Sequence, residues 1–423
     1  MIQIKPNIQH KSNCPHCGTQ LVSEKVLWQG IHVCVVSNCP GCSAEIIEDL
    51  KIGHAIFYPY QVDLENNKLF GTESARAWFG VSLLNSLKYP KNEPDIEFKV
   101  EKFFNSKNVV ILNCIDFLYG HSLLKLLNAD SYLKGNPEFD LVVIVPKFLR
   151  WMVPQGVAEI WTVNIPISKE RNYYPEIDRQ IKRECERFDT IYVSLAHSHP
   201  KYFNITRFTG IERHDFSRKD FRVTFIWRED RLWWRYDFLF QIARKLKFLS
   251  PLLIWQNLKV RRLFSLLRRD FPQAVFTVAG LGRSTRFPKW IDDHRVERFT
   301  DELERKACKI YSESRLVIGI HGSNMLLPSG HAGLTMDLMP DERWGNYAQD
   351  VLYQEDDNRL SSFKYRYLPL SIMTSLLYKI LSFQLKGYTD SLTGAGFSSK
   401  MNPSAHTEKD GLSDTEFKGQ TRV

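Results

Sequence analysis

The segment from residue 311 to residue 330 places the tightest constraint on the fold. A short β-branched run at residues 316–318 leads into His321, Gly322 and Ser323. This order predicts a buried strand, a turn that glycine permits, and a helix whose first backbone amides have no partner within the helix. Parallel α/β sheets bind anions at such corners. The segment therefore predicts an α/β fold with a site for the phosphates of a nucleotide-linked ligand.

Strands and helices alternate twice along the chain. Four β-rich segments separated by helical patterns occupy the first half: residues 108–114, 140–145, 159–163 and 190–194. After a polar linker at 215–220, the pattern restarts with three more strands, at residues 221–227, 274–278 and 316–318. Alternation of this kind is typical of parallel sheets with helices on both faces. We expect two Rossmann-like, doubly wound α/β domains with a ligand cleft between them.

Five of the eight cysteines lie before residue 43. Four of them form two C-x-x-C pairs: Cys14, Cys17, Cys39 and Cys42. Four thiolates at this spacing suit tetrahedral zinc. A disulfide pair is the alternative, but nothing in the sequence indicates an oxidising compartment. Cys34 and His16 are spare ligand candidates, although we prefer the symmetric four-cysteine set. The prediction is a structural zinc ribbon that stabilises or docks and does no chemistry.

Four regions are expected along the chain. They are a zinc ribbon at residues 1–50, a first α/β domain at 51–215, a second at 216–386 and a disordered tail at 387–423 that is rich in Gly, Ser, Thr and Lys. A chain of 423 residues with 43% hydrophobic content can bury more than one core.

The sequence shows neither a signal peptide nor an uncharged apolar run of membrane-spanning length. The nearest case, residues 367–385, contains Lys379 and predicts an amphipathic helix, with contact to a membrane interface as the alternative. We expect a cytoplasmic protein, with peripheral contact to the inner face of a membrane as the alternative.

Several short blocks resemble the GT-B-fold glycosyltransferases, above all the glycosyltransferase 61-like family. These blocks are Tyr-Gly-His-Ser-Leu-Leu at 119–124, Ile-Trp-Arg-Glu-Asp-Arg at 226–231, His-Gly-Ser at 321–323, Pro-Ser-Gly at 328–330 and Asp-Leu-Met-Pro at 337–340. The family usually has Gly-Ala-Gly after the histidine, where this chain has Gly-Ser-Asn, and commonly Glu where this chain has Asp337. Fucosyltransferases of the same fold also place an arginine after this strand, so that group stays an alternative.

The resemblance implies sugar transfer from a nucleotide-sugar donor to a glycan or lipid-linked acceptor in surface polysaccharide synthesis, with inversion and without a catalytic metal. Nine residues are expected to hold the donor: Arg228, Arg231, Gly280, Gly282, Arg283, His321, Gly322, Ser323 and Asp337. Arginine forks match phosphate oxygens, although pairing with Glu229 or Asp230 is the alternative. An ordinary turn explains the glycines of residues 280–282 almost as well. Asp337 suits ribose hydroxyls, or is a surface carboxylate.

The catalytic base is expected across the cleft, in the first domain. Asp116 and His121 flank the first strand-to-helix turn. Histidine titrates near neutrality and can accept a hydroxyl proton. The alternatives are a structural role for His121 at the start of the helix, and Asp116 as the base or as a helix cap.

A net charge of +9 also suits nucleic acid, and a zinc-ribbon nucleic-acid-binding protein is the competing function. The basic runs at 245–247 and 259–269 would then provide the contacts. However, the second run is interleaved with leucine and phenylalanine at helical spacing, which is typical of a packed amphipathic helix. We therefore expect no nucleic-acid partner. A hydrolase is not indicated, because the sequence has neither a Gly-x-Ser-x-Gly elbow nor a Gly-Lys-Ser/Thr phosphate loop.

Overall fold

The computed structural model describes residues 1–93, 96–135, 138–196, 200, 202–234, 237–349, 351–352 and 358–394. Its strands are β1 (Ile2–Lys5), β2 (Val22–Trp28), β3 (Val33–Asn38), β4 (Glu45–Asp49), β5 (Tyr60–Asp63), β6 (Lys68–Gly71), β7 (Phe98–Lys102), β8 (Asn108–Asn113), β9 (Asp140–Pro146), β10 (Glu159–Val163), β11 (Thr190–Val193), β12 (Arg222–Trp227), β13 (Val275–Leu281), β14 (Asp292–Val296), β15 (Ser314–Ile320), β16 (Leu334–Met339) and β17 (Tyr365–Pro369).

The α-helices are α1 (Glu73–Ala75), α2 (Val81–Lys88), α3 (Tyr119–Leu127), α4 (Ala129–Gly135), α5 (Pro175–Cys185), α6 (Ile205–Thr209), α7 (Asp237–Lys245), α8 (Ser250–Asp270), α9 (Asp301–Glu313), α10 (Leu326–His331), α11 (Asn358–Lys364) and α12 (Thr374–Gly394). A π-helical segment, Arg76–Gly80, joins α1 to α2. Short 3-10 segments lie at Gly53–Ile56, Lys147–Met152, Ile167–Lys169, Ser323–Met325 and Asp341–Asn346.

The first α/β unit is built on a six-stranded sheet in the order β1-β11-β8-β9-β10-β7. The four central strands are parallel, and the two edge strands run antiparallel to them. Strand β8 is buried after its first residue, as expected for a strand covered on both faces. The order of the parallel strands reverses between β8 and β11, and ligands of open α/β sheets bind at the carboxyl ends of strands at such a reversal.

The second unit has six parallel strands in the order β14-β13-β12-β15-β16-β17. This is the Rossmann order, with its reversal between β12 and β15. The carboxyl ends of β12 and β15 are therefore neighbours, and they carry the two blocks of residues expected to hold a phosphate. The prediction of two Rossmann-like α/β units is confirmed.

The N-terminal module is a five-stranded antiparallel sheet in the order β2-β3-β4-β5-β6. It continues to Gly71, past the predicted end of the ribbon at residue 50. Trp28 and Leu50 share one apolar core with Val109 and Ile111 of the first unit. The module is thus packed firmly onto the first α/β sheet.

The two α/β units share a continuous apolar core. Val110 and Leu123 of the first unit pack in the same cluster as Val317 and Met325 of the second. Glu304 on α9 adds polar contacts between the two units. Its carboxylate accepts hydrogen bonds from Tyr119 Oη at 2.6 Å and Trp151 Nε1 at 3.0 Å. The ends of β8 and β15 are therefore held close together.

One helix predicted from the sequence is wrong in part. Residues 367–385 were expected to form a single amphipathic helix, but β17 pairs with β16 through Pro369, and the helix α12 starts at Thr374. Proline has no backbone N–H to donate, so Pro369 can neither continue the β-ladder nor lie in the interior of a helix. The strand therefore ends at this residue, and the helix begins only after it. Helix α12 runs to Gly394, past residue 387 where the tail was expected to begin, and residues 395–423 lie outside the described part of the chain. Among the described residues no helix is both long and apolar enough to cross a membrane.

Candidate functional site

Two arginines after β12 meet the turn after β15. Arg228 Nη1 donates to Asn324 Oδ1 at 2.6 Å and to the His321 carbonyl oxygen at 3.3 Å, and Arg231 Nη1 donates to the same carbonyl. Gly322 has a φ of 141°, and a Cβ atom on it would lie 2.7 Å from Arg228 Nη1 and 3.2 Å from Arg231 Nη1. Glycine at this position lets both guanidinium groups rest on the turn.

The arginine pair carries more positive charge than its carboxylate partner balances. Arg228 binds Asp230 through Nε at 2.8 Å, so the pairing with a neighbouring acid is present. Burial, followed by the charges of Arg228 and Arg343, lowers the pKa of Arg231. Arg231 thus lies close enough to be repelled by both other guanidinium groups, and the charges of Asp230 and Glu342 oppose this repulsion only in part. A phosphate group would relieve this repulsion while accepting paired hydrogen bonds.

The His321 side chain is buried below the turn that the two arginines contact, and it lies beside a buried carboxylate. Its Nδ1 lies 3.1 Å from Oδ2 of Asp337, which also accepts a hydrogen bond from Tyr365 Oη at 2.7 Å. Asp337 is fully buried on β16, so it faces His321 rather than the cleft. Asp337 is therefore better placed to position the turn, through its contact with His321, than to bind a ribose directly.

The turn does not lead straight into a long helix. Ser323 is exposed at the start of the 3-10 segment Ser323–Met325, and α10 has only six residues. The arginine side chains and the glycine turn, rather than a helix end, therefore supply the positive potential at this site.

Gly280 and Gly282 serve close packing at the end of β13. A Cβ atom on Gly280 would lie 2.2 Å from the Trp227 carbonyl oxygen, and one on Gly282 would lie 2.2 Å from Glu229 Cδ. Arg283 Nε donates to the carbonyl oxygen of Arg295 on β14 at 2.6 Å. Strand β14 lies on the side of β13 away from β12, so the structure does not bring Arg283 to the Arg228–His321 contact.

Asp116 and His121 form a dyad at the carboxyl end of β8. Asp116 is fully buried, with Oδ1 3.3 Å from His121 Nδ1 and Oδ2 3.0 Å from Lys125 Nζ. Burial alone would raise the pKa of Asp116, but the Lys125 and His121 charges outweigh it and hold that pKa well below its usual range. The His121 side chain is 29% exposed. Asp116 can therefore act on a ligand only through His121, whose other ring nitrogen, Nε2, is the one suited to take a proton.

The N-terminal module contributes His54 to the same place. Its ring centroid lies 5.0 Å from that of His121, and Phe79 stacks on its other side at 5.3 Å. Burial, then the His121 and Lys125 charges, lower the pKa of His54 to about 4, so it is neutral near pH 7.

Nitrogen and oxygen atoms of His54, Asp116 and His121 lie within 4.8 Å of one another, which is close enough for a metal ion. However, the Lys125 ammonium already neutralises the carboxylate that a cation would need. The cluster is better suited to moving a proton than to holding a metal.

Glu170 is a buried carboxyl group beside this cluster. Burial, reinforced by the Asp116 charge, raises its pKa to about 8. Its ionised form is therefore disfavoured in the folded chain. An unfolded chain releases this proton near pH 4.5, whereas the folded chain keeps it until about pH 8, so stability from this group falls as pH rises between those values.

We expect Glu170→Gln to stabilise the protein by roughly 4 kcal/mol above pH 8, at about 1.4 kcal/mol per pH unit, and to have little effect below pH 4.5, because the amide mimics the protonated acid. Urea unfolding at several pH values measures this difference. The exposed Glu186→Gln is the matched control and should give a flat difference. A flat Glu170→Gln profile would show that Glu170 ionises normally.

The dyad and the arginine pair are adjacent. A Cβ atom on Gly120 would lie 2.6 Å from Ser323 Cβ, so the first turn of α3 touches the turn after β15. His121 follows Gly120 directly, and Gly322 precedes Ser323. Glycine at position 120 therefore allows the first turn of α3, which carries His121, to lie beside the turn that the two arginines contact.

The four cysteines converge at the outer end of the N-terminal module. Cys14 Sγ lies 3.6 Å from Cys42 Sγ, and Cys17 Sγ lies 3.3 Å from Cys39 Sγ. Tetrahedral zinc with Zn–S bonds of about 2.3 Å needs sulfur atoms about 3.8 Å apart, so a small outward movement fits the ion.

The two spare ligand candidates have other roles. His16 Nε2 lies 2.8 Å from Asp63 Oδ2, and Cys34 is fully buried in the core between the sheet and its helix. Among the described residues, the four cysteines of the symmetric set lie within metal-binding distance of one another, and neither Cys34 nor His16 joins them.

Sequence reasoning missed Lys125, His54 and Asn324. Lys125 had a signal, since it follows His121 by four residues and thus shares its helix face. His54 had none, because it belongs to a separate module that folds over the end of β8. In the sequence, Asn324 stands out only as a departure from the family pattern, whereas in the structure it accepts a hydrogen bond from Arg228.

No known family profile matches the sequence, and no curated protein matches it. Solved structures that resemble the chain include two heptosyltransferases. One is an E. coli ADP-heptose LPS heptosyltransferase II, with a TM-score of 0.38, 9% identity, and coverage of 67% of this chain and 99% of that one. The other is an E. coli heptosyltransferase with ADP, with a TM-score of 0.36, 9% identity, and coverage of 66% and 99%. Likeness at this level supports no argument, and the fold assignment rests on the strand order itself.

Proposed function

We propose that this protein is a glycosyltransferase that moves a sugar from a nucleotide-sugar donor to a hydroxyl group of a glycan or lipid-linked acceptor. One observation carries the proposal: the contact between Gly120 and Ser323 brings a histidine–aspartate dyad beside an arginine-lined turn. Each half lies at the strand-order reversal of its own Rossmann-like sheet, where such folds bind ligands. Sugar transfer needs these two functions together, a proton acceptor and a cationic site for the leaving diphosphate.

The arginines would stabilise the charge that develops on the departing nucleotide. As the bond between the anomeric carbon and the phosphate oxygen breaks, negative charge grows on the diphosphate. Arg228 and Arg231 point from one unit onto the same carbonyl oxygen, so their guanidinium groups are already oriented. Donors fixed before the reaction stabilise developing charge without a reorganisation cost.

His121 would take the proton of the acceptor hydroxyl through Nε2. The acceptor oxygen then forms the new bond to the anomeric carbon, and a single displacement of this kind inverts the configuration there. Asp116, with Oδ1 3.3 Å from His121 Nδ1, would favour a proton on Nδ1 and stabilise the imidazolium ion, as the acid of a catalytic triad does. Lys125 keeps Asp116 ionised. No metal takes part in this scheme.

A thermal-shift series tests the proposal. Sugars linked to UDP, GDP, CMP and ADP, and then oligonucleotides, are titrated against the full chain. A cognate donor at 100 times its Kd should stabilise the fold by about 2.7 kcal/mol, because it binds only the folded state. Stabilisation by oligonucleotides and by none of the nucleotide sugars would favour the competing nucleic-acid-binding function.

We also propose that Cys14, Cys17, Cys39 and Cys42 hold one structural zinc ion. Four cysteine thiolates close the coordination sphere, so the ion would stabilise the module and take no part in the transfer. The support is the sulfur–sulfur spacing and the fact that each pair sits on a tight turn, with Gly18 and Ser43 at positive φ directly after the second cysteine.

Protein purified under reducing conditions should therefore contain about one zinc ion per chain by elemental analysis. Cys14→Ser or Cys42→Ser should reduce the zinc content and loosen the ribbon, because a structural zinc site contributes folding free energy. Cys34→Ser is the control that should keep the metal, since Cys34 lies in the apolar core. Zinc-free wild-type protein with an intact ribbon would contradict this assignment.

A further inference from the structure

An apolar surface projects from the second unit where α7 turns into α8. We call it the elbow and define it by six exposed side chains: Ile242, Leu246, Phe248, Ile254, Trp255 and Leu258. Leu246 is 71% exposed and Phe248 is 64% exposed. The turn between the helices is closed by Phe248 N donating to the Ala243 carbonyl oxygen at 2.8 Å. These two large side chains therefore project from an ordered turn.

Helix α8 changes character along its exposed face. Its inner face is buried throughout, from Leu253 to Leu267. On the outer face, the first half of the helix carries Ile254, Trp255 and Leu258, and the second half carries arginines. A solvent-facing helix normally keeps its polar residues outside along its whole length. An apolar tip followed by a basic collar is typical of a helix that meets a lipid interface.

The chain segment that carries the elbow, between Asp237 and Asp270, has charged side chains of one sign. Residues 238–269 contain eight basic side chains and no acidic one: Arg244, Lys245, Lys247, Lys259, Arg261, Arg262, Arg268 and Arg269. Of these, Lys259 already makes a hydrogen bond within the protein, because its Nζ donates to the Trp233 carbonyl oxygen at 3.1 Å. Arg244, Lys245, Lys247, Arg261 and Arg262 are exposed. They would add an attractive potential toward an anionic surface.

The elbow is attached to the candidate donor site. Gln256, next to Trp255, is buried and accepts a hydrogen bond from Trp233 N at 2.6 Å. Its Nε2 donates to the carbonyl oxygen of Arg228 at 3.2 Å. The start of α8 is thus tied to the loop that carries both arginines. A partner that bound the elbow would therefore lie near the edge of the sheet that carries the candidate donor site.

We propose that the elbow docks the protein on an anionic lipid bilayer, with Leu246, Phe248 and Trp255 in the acyl boundary and the arginines at the headgroups. Pairing with a second copy of the chain is disfavoured, because a two-fold interface would set one basic collar against the other. Nucleic acid would use the basic groups but would leave six apolar side chains in water. A bilayer satisfies both parts of the surface, and the inference does not depend on the proposed reaction.

Vesicle flotation with the full chain and no donor tests the proposal. The protein should float with vesicles that contain phosphatidylglycerol and far less with pure phosphatidylcholine, and added salt should weaken the binding. Leu246→Ser with Phe248→Ser should lower the partition coefficient at least about tenfold, because both lost groups are apolar anchors. Arg261→Gln with Arg262→Gln should lower it about 25-fold, at roughly fivefold per basic side chain.

Matched variants keep the test specific. Phe103→Ser with Phe104→Ser removes two exposed apolar groups elsewhere, and Lys306→Gln with Lys309→Gln removes two exposed charges from α9. These pairs should bind vesicles like the wild type, and all variants should keep the wild-type melting temperature. Absence of vesicle binding by the wild type, or equal loss in the control pairs, would overturn the proposal. So would a wild-type dimer that the Leu246/Phe248 pair disrupts without any effect on vesicles, or binding to oligonucleotides in place of vesicles.

Discussion

Changing His121 to alanine is expected to lower turnover roughly 10²–10⁴-fold, the usual contribution of a general base. The affinity for the donor should barely change, because the arginines that would hold it belong to the other α/β unit. Steady-state kinetics with the cognate donor and acceptor measure both effects.

Two further variants separate the base from a structural role. Asp116→Asn should lower kcat by a similar order, because an amide can no longer hold Nδ1 protonated. His16→Ala removes a histidine that also lies beside an aspartate, Asp63, at 2.8 Å, and it should leave turnover unchanged. Near-normal turnover in His121→Ala would refute the base assignment. A parallel loss of donor affinity would make His121 a structural residue at the contact between the units.

Changing Arg228 to alanine is expected to weaken donor binding by about 2–3 kcal/mol, or roughly 30- to 150-fold in Kd. The reason is the loss of a charge-assisted phosphate contact and of the positive charge that now balances Asp230, whose carboxylate would then repel the phosphate. Arg228→Lys should recover part of the loss, because it keeps the charge without the planar fork. Isothermal titration calorimetry with the donor identified by thermal shift gives both values.

Arg222 provides the matched control. It starts the same strand, at the opposite edge of the sheet, and its Nε binds Glu313 at 2.6 Å. Arg222→Ala should lower the melting temperature and leave the donor Kd unchanged. If Arg228→Ala behaves in the same way, Arg228 serves only as the partner of Asp230 and Asn324, and the donor lies elsewhere.

The α/β units could be predicted because each strand and helix carries its own local signal. Strands β8, β9, β10 and β12 are largely apolar and buried along most of their length, as parallel strands covered on both faces are. The edge strands β1, β7 and β14 lack this pattern, because one side of each meets solvent. The last three residues of β17 fall within the helix predicted at 367–385, because the apolar pattern continues from the strand into α12. Pro369 is the residue that marks the end of the strand.

The candidate site was predictable in its parts but not in its assembly. Arg228, His121 and Gly322 stand at strand ends, where such folds carry ligands, so chain order alone singles them out. The approach of His54 to His121 depends on how the antiparallel module docks, and local periodicity carries no information about docking. The burial of Asp337 under His321 likewise depends on pairing between β15, β16 and β17.

Strand β1 has a consequence for the order in which the chain can fold as it is made. It precedes the ribbon, yet Ile2 pairs with Val193, far along the sequence. At about 5–20 residues per second, a ribosome needs roughly 10–40 s to make the partner strand. Until then β1 has no neighbour in that sheet, whereas the antiparallel module between them is already synthesised. Protease protection of nascent chains stalled before and after residue 193 would reveal this delay, during which an unpaired strand edge is open to the wrong partner.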